Sequence, residues 1–275
     1  MERRLTGMIA AAAVLIVLFI FWDAFRPKVR PRDSEPAVVA PVALDSAPAG
    51  QPAAPAPVAQ PVPPPTTTSQ GTAVTAGREP TYFDLLARSE TRRRIRSSGT
   101  TTYLGEMLAQ SNDSVLRRWE NRTTNPIRVY FAPTYAANFK PEFLSAIKTA
   151  FGQWTSVGVP VRFDFGADST NAEVTVKWRI QFEIERTGQT DVTWDENGYI
   201  QSAIVTLSTF DPKGRPMEAD DIRVVAIHEV GHLLGLDHSK DSTDIMFPTA
   251  KVRDLSDRDV RTVLLLYQLT PGSLR

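Results

Sequence analysis

The chain has no cysteine in 275 residues, which excludes disulfides in any compartment. Histidine is almost as scarce: there are three, all between residues 228 and 238. Net charge is also missing, since 31 Lys and Arg balance 31 Asp and Glu. The balance is uneven along the chain. Residues 78–124 hold 9 basic side chains against 6 acidic ones, a net of +3, and residues 125–275 hold 16 against 20, a net of −4. A mildly acidic C-terminal half gives nucleic-acid binding no support.

What is present is concentrated in His228-Glu229-Val230-Gly231-His232-Leu233-Leu234-Gly235-Leu236-Asp237-His238. His228 and His232 are four apart, so on a helix they share one face, a turn from each other. Two imidazoles at that spacing can hold one metal ion, and Glu229 beside them can reach a water on it. Gly235 permits φ > 0, which lets the chain leave the helix and turn back. That return brings His238 round as a third nitrogen ligand. Three protein ligands leave one tetrahedral position open, as a catalytic zinc requires.

The long histidine pattern followed by a methionine turn is the metzincin signature. The stretch resembles the matrixin branch (peptidase M10), because Ser239 follows the third histidine and Asp244-Ile245-Met246-Phe247-Pro248 looks like the matrixin Met-turn. Astacins and serralysins usually carry a tyrosine two residues after that methionine, where this chain has Pro248. Leu255-Ser256-Asp257-Arg258-Asp259-Val260, followed by Leu266-Tyr267, looks like the matrixin C-terminal helix. The resemblance implies Met246 as a floor under the zinc histidines and Pro248 near the S1′ pocket wall. It also implies an edge strand above the cleft, placed at Ala203-Ile204-Val205-Thr206-Leu207, whose free backbone groups pair with an extended peptide. Without cysteine there is no cysteine switch of the kind many animal matrixins use, and without further histidines no second, structural zinc of their type.

Upstream, Leu5 to Trp22 is an uninterrupted apolar and small run behind Arg3 and Arg4, just long enough to span a bilayer. No small-x-small site ends it, so residues 1–22 are expected to be a signal anchor rather than a cleaved signal peptide. Arg26, Lys28, Arg30 and Arg32 flank its far side, so charge does not choose an orientation. The N-terminus is expected inside and the rest extracytoplasmic, periplasmic or cell-surface, or secreted if the run is cleaved. Residues 23–77, rich in Pro, Ala, Val, Gln and Thr, read as a semi-rigid polyproline-like tether. Residues 78–124 read by default as a solvated helix face plus loop. A propeptide-like cover over the cleft, or a basic patch (Arg92-Arg93-Arg94-Ile95-Arg96) facing anionic lipid, is the alternative. Asn112 and Asn121 head glycosylation sequons that matter only in a secretory pathway.

Residues 125–275 read as one metalloprotease domain. Ile127–Phe131, Val161–Phe165 and Val174–Trp178 alternate as strands. Between the first two, Phe143, Leu144, Ile147, Phe151 and Trp154 recur at helical spacing over 141–156, which fits a parallel crossover. Asp195-Glu196-Asn197-Gly198 carries a tight-turn signal, with calcium ligation as the lesser reading, and Tyr199–Leu207 is a further strand. Asp220 or Asp221 is expected to cap the metal helix, and Ser256 with Asp259 has capping-box spacing for a last helix. The expected fold is α+β, a twisted mixed five-stranded sheet with a zinc-site helix and a small C-terminal helical subdomain. The expected activity is zinc-dependent hydrolysis of peptide bonds in a protein or peptide substrate, with Glu229 as general base. A catalytically silent zinc-binding scaffold or adhesion module is the competitor from another class, and hydrolysis of non-peptide amides is a further one.

Overall fold

A computed structural model describes residues 79–111 and 113–275. The run Leu5–Trp22, the linker over 23–77 and Asn112 lie outside the described residues. Helix α1 (Tyr82–Ser98) starts at a capping box, in which Thr81 Oγ1 accepts from Asp84 N and the Asp84 carboxylate accepts from Thr81 N. A single 3-10 turn, helix α2 (Leu104–Gln110) and the short strand β1 (Val115–Leu116) follow. Next come β2 (Arg122–Phe131), α3 (Glu142–Ser156), β3 (Val161–Asp164), β4 (Val174–Arg179), β5 (Gly188–Trp194) and β6 (Ile200–Ser208). Helices α4 (Ala219–Leu233) and α5 (Asp257–Gln268) and the strand β7 (Gly272–Ser273) complete the chain.

The five-stranded sheet has the order β3-β2-β4-β6-β5. Its first four strands run parallel and β5 runs antiparallel to β6, so the sheet is mixed and the α+β expectation holds. Parallel pairing of β2 with β3 needs a crossover, and α3 supplies it. One stripe of α3, Phe143, Ile147, Phe151 and Trp154, is fully buried. At about 1.5–3 kcal/mol for each large apolar side chain, that burial outweighs the few tenths of intrinsic propensity any single helix residue contributes. Trp154 also donates its indole N–H to Ile227 O (2.8 Å), which fastens α3 to α4.

Two sequence expectations are corrected here. The edge strand is not Ala203–Leu207, which includes the expected substrate-binding residues Ala203, Ile204, Val205 and Thr206. That segment lies inside β6, whose backbone pairs with β4 on one side (Val176 opposite Val205) and with β5 on the other (Thr190 opposite Val205). A strand flanked on both sides has no free edge for a peptide; on this side of the sheet the edge is β5. The boundary at 124/125 is the second, because it cuts through β2. Residues before it belong to the same core: Ile95, Tyr103, Leu104, Met107, Leu116 and Trp119 are buried in it. Tyr103 O–H donates to Asp259 (3.0 Å) on α5, and β1 pairs with β7. The segment is therefore neither a solvated face nor a cover laid over a finished domain, although Tyr82, Phe83, Leu85 and Leu86 at the start of α1 are exposed.

The remaining local readings stand with small shifts. Gly198 sits at φ +83° in the Asp195–Gly198 turn, with its N–H donating to Asp195 O (3.0 Å). Asp195 Oδ1 accepts from the backbone N–H of Asn197 and Tyr199, so this carboxylate braces its own turn. Ser256 and Asp259 form the expected capping box of α5. The cap of α4 lies two or three residues earlier than expected, at Glu218, whose N–H donates to Asp221 Oδ2 (3.3 Å). Asp220 instead bridges Arg223 and Arg253.

Candidate metal centre

Helix α4 carries His228, Glu229 and His232 in its last two turns. It ends in a Schellman motif: Leu236 N–H donates to Gly231 O (3.0 Å) and Gly235 N–H to His232 O (2.9 Å). Gly235 has φ +97°, the left-handed conformation the sequence reading assigned to it. A Cβ there would also overlap the carbonyl of Arg117, so glycine is needed twice over. The indole N–H of Trp119 donates to Leu233 O (2.9 Å), satisfying one of the orphan carbonyls at the helix end. The reversed chain then delivers His238.

The three imidazoles converge. Nε2 of His228 lies 3.2 Å from Nε2 of His232 and 3.3 Å from Nε2 of His238. The tautomers of the first two follow from their other nitrogens. His228 Nδ1–H donates to Ile245 O (2.7 Å) and His232 Nδ1–H to Leu236 O (2.9 Å), so both Nε2 atoms present lone pairs. Burial lowers all three histidine pKa values, that of His228 to about 4, which keeps the rings neutral near pH 7. Lone pairs facing each other at 3.2 Å repel unless a cation lies between them. Ligand nitrogens at about 2.0–2.1 Å from a tetrahedral zinc are themselves about 3.3 Å apart. The donor set fits that ion, and His228, His232 and His238 are the group among the described residues able to hold one.

The supports of this trio come from the Met-turn and α5. Met246 is fully buried and packs on Gly231, where a Cβ would overlap its sulfur. Ile245 offers its carbonyl to His228, and its own N–H donates to Asp259 Oδ2 (2.9 Å). Asp244, also buried, accepts from Ser239 Oγ, Ser256 Oγ (2.7 Å) and Arg258 (2.7 Å), while Arg258 pairs in turn with Glu106 of α2. The third-ligand loop, the Met-turn, α5 and the N-terminal segment are thus one polar network, and such outer partners fix ligand orientation. Pro248, just beyond the turn, is exposed.

Glu229 is 5% exposed and sits where α4 meets the edge strand β5. Burial pushes its carboxyl up to about 7, opposed by a hydrogen bond from Thr190 on β5. A cation at the histidines would pull it down again. Thr190 Oγ1 lies 2.6 Å from Glu229 Oε2. Two positions earlier, Gly188 packs on the same carboxylate: a Cβ there would come within 2.7 Å of Glu229 Cγ and 2.8 Å of Cδ. Neither Gly188 nor Thr190 was singled out by the sequence reading. Their signal is the alternation of Gly188, Thr190, Val192 and Trp194 with polar residues, too poor in apolar side chains to mark a strand on its own. Ala203, Ile204, Val205 and Thr206 lie one strand further in, as described.

The fold and the trio define the class: a mixed-sheet domain with three converging histidines able to hold a metal ion and a buried carboxylate beside them. Residues 118–268 match the matrixin family (peptidase M10), and the chain belongs to that family. It is similar to Metalloendoproteinase 1-MMP of Arabidopsis thaliana, 33% identical over 140 residues, or 46% of this chain. It is also similar to Metalloendoproteinase 1 of Glycine max, 28% identical over 199 residues, or 64% of this chain. The chain spans 38% and 61% of the length of those two relatives.

Proposed function

We propose that the chain is a zinc-dependent endopeptidase, with His228, His232 and His238 as metal ligands and Glu229 as general base. The observation that carries this reading is the placement of a buried carboxylate between three converging imidazoles and an open sheet edge. Zinc, when bound, supplies a Lewis acid that polarises a carbonyl and lowers the pKa of a water towards ~7. Glu229 accepts the proton of the attacking water and returns it to the departing amide nitrogen. An extended substrate segment pairs with the free backbone groups of β5, in place of the β6 residues expected at first. Met246 supports the histidines from below, and Pro248 is assigned to the wall of the S1′ pocket.

The burial of Glu229 also weighs against a silent zinc-binding scaffold. Holding a carboxylate in a site that raises its pKa costs stability, and a module that only binds metal gains nothing from it. Among the described residues β5 has no partner on its outer side, and an edge strand that can pair with a peptide favours protein substrates over small amides. Anchoring through Leu5–Trp22 and an extracytoplasmic position of the domain rest on the sequence pattern. Among the described residues no helix is long and apolar enough to cross a membrane. Alkaline extraction of membranes from cells expressing the full chain tests the anchor, which predicts retention in the pellet.

The purified full chain is expected to cleave an unstructured protein, to stop when a chelator removes the metal, and to resume when zinc is restored. Cleavage that persists unchanged after complete metal removal contradicts the proposal.

A further inference from the structure

We infer that Thr190 is a positioning residue for the general base: its hydroxyl holds Glu229 Oε2, and the bare backbone of Gly188 holds open the space the carboxylate occupies. The inference rests on the reading of Glu229 as the base. Two acceptors lie near Thr190 Oγ1, Glu229 Oε2 at 2.6 Å and the Glu229 backbone carbonyl at 3.1 Å. A hydroxyl has one proton to donate. The contact to the carboxylate oxygen is the shorter of the two, 2.6 Å against 3.1 Å, so the proton is assigned to the carboxylate. That carboxylate then has one oxygen engaged, and no described hydrogen bond ends on Oε1. The other side of the group is fixed by Gly188, because a Cβ there would lie within 2.7 Å of Glu229 Cγ and closer still to Oε1. Residues 188 and 190 are i and i+2 on β5 and so face the same side, whereas Gln189 and Asp191 face the other and bond to each other (2.9 Å).

The consequence is a division of labour between the carboxylate oxygens. Oε2 is committed to Thr190, and Oε1 is left to accept the proton. Without the hydroxyl the buried carboxylate loses its donor and is free to rotate about its last bond, so the fraction of molecules with the base correctly aimed falls. Misplacement on the scale of an ångström costs on the order of 10²-fold in rate. Because Thr190 also sits on the strand assigned to the substrate backbone, the residue that aims the base and the strand that seats the peptide are one element.

The test uses the zinc-loaded full chain as wild type, Thr190→Val, which removes the hydroxyl at nearly constant shape, and Thr190→Ser, which restores it. Thr190→Val is expected to lower kcat by about 10–10²-fold with KM and zinc content nearly unchanged, and Thr190→Ser to recover most of the loss. Equal kcat for wild type and Thr190→Val overturns the inference, as does a loss that Thr190→Ser fails to repair. A second readout needs no activity: melting of the metal-free protein across a cycle of Thr190→Val with Glu229→Ala. Thr190→Val is expected to lower the melting temperature by about 2–4 °C when Glu229 is present and by clearly less in the Glu229→Ala background, where only the backbone carbonyl of residue 229 remains as acceptor. The same drop in both backgrounds assigns Thr190 a merely structural role and overturns the inference. If wild type itself cleaves nothing while the cycle shows coupling, the pairing stands and it is the endopeptidase reading that fails.

Discussion

The two walls of the site are built differently. Helix α4 with its return loop supplies all three proposed ligands from eleven consecutive residues, 228 to 238. The facing wall, β5, supplies no ligand, only a hydroxyl from Thr190 and an absent side chain at Gly188. The first wall is set by local geometry, a helical period and one left-handed glycine. The second exists only after β5 has paired with β6, and the sheet has packed on α4, bringing residues 39 positions apart into contact. Metal binding is therefore assigned to one wall, and aiming of the base to the other.

The largest expected effect comes from breaking the first wall. His232→Ala should drop zinc content well below one per chain and reduce cleavage to background, because two remaining imidazoles do not complete the set. Metal analysis of the dialysed protein checks this; stoichiometric zinc would show that another group takes the place of His232.

Next comes removal of residues 1–124, which asks whether the first wall is as local as it looks. A chain starting at Asn125 lacks Trp119, which satisfies Leu233 O, the Arg117 carbonyl against Gly235, and Glu106, which pairs with Arg258. It also exposes the apolar surface that Tyr103, Leu104, Met107 and Leu116 cover. The expected outcome is a protein without a cooperative melting transition. A folded and more active product would restore the propeptide reading of the segment.

A smaller effect is expected from the second wall. Gly188→Ala forces the end of the Glu229 side chain to move, and a flexible side-chain end moves at little cost in stability. Thermal stability should change by less than about 1 kcal/mol while kcat falls on the order of 10²-fold and zinc is retained. Loss of zinc together with activity would erase the distinction between the walls. The smallest effect is assigned to Trp119→Phe, which keeps the aromatic body and deletes the N–H bonded to Leu233 O. It should destabilise by about 1–3 kcal/mol, measured by denaturant unfolding, and leave kcat within a few-fold.

The same contrast accounts for what was legible in the sequence. The histidine trio, the Gly235 reversal, the Asp195–Gly198 turn and the Ser256–Asp259 capping box each lie within about a dozen residues, so spacing exposes them, while the Met-turn is legible through its resemblance to the matrixin motif. The edge strand implied by the resemblance falls on Ala203–Leu207, the more apolar segment, and the structure puts it one strand further out. Apolar richness marks a strand with neighbours on both sides, and Val205 indeed pairs across to both Val176 and Thr190. The true edge, Gly188–Trp194, is polar enough to pass for loop. The N-terminal segment was misjudged for a related reason. Tyr103 and Trp119 show no periodicity of their own, and their partners, Thr262 and Asp259 for the first and Leu233 for the second, lie more than a hundred residues away. Burial set by such distant partners leaves no local trace.

The most direct test of the account is a paired measurement on Glu229→Gln, which keeps size and hydrogen-bonding capacity but cannot act as the base. Zinc content and kcat are determined on the same preparation, beside wild type. The account predicts about one zinc per chain in both proteins and a kcat lowered by at least about 10²–10⁴-fold in the variant. A Glu229→Gln protein that holds zinc and cleaves at the wild-type rate would contradict it, since the buried carboxylate would then have no part in the reaction.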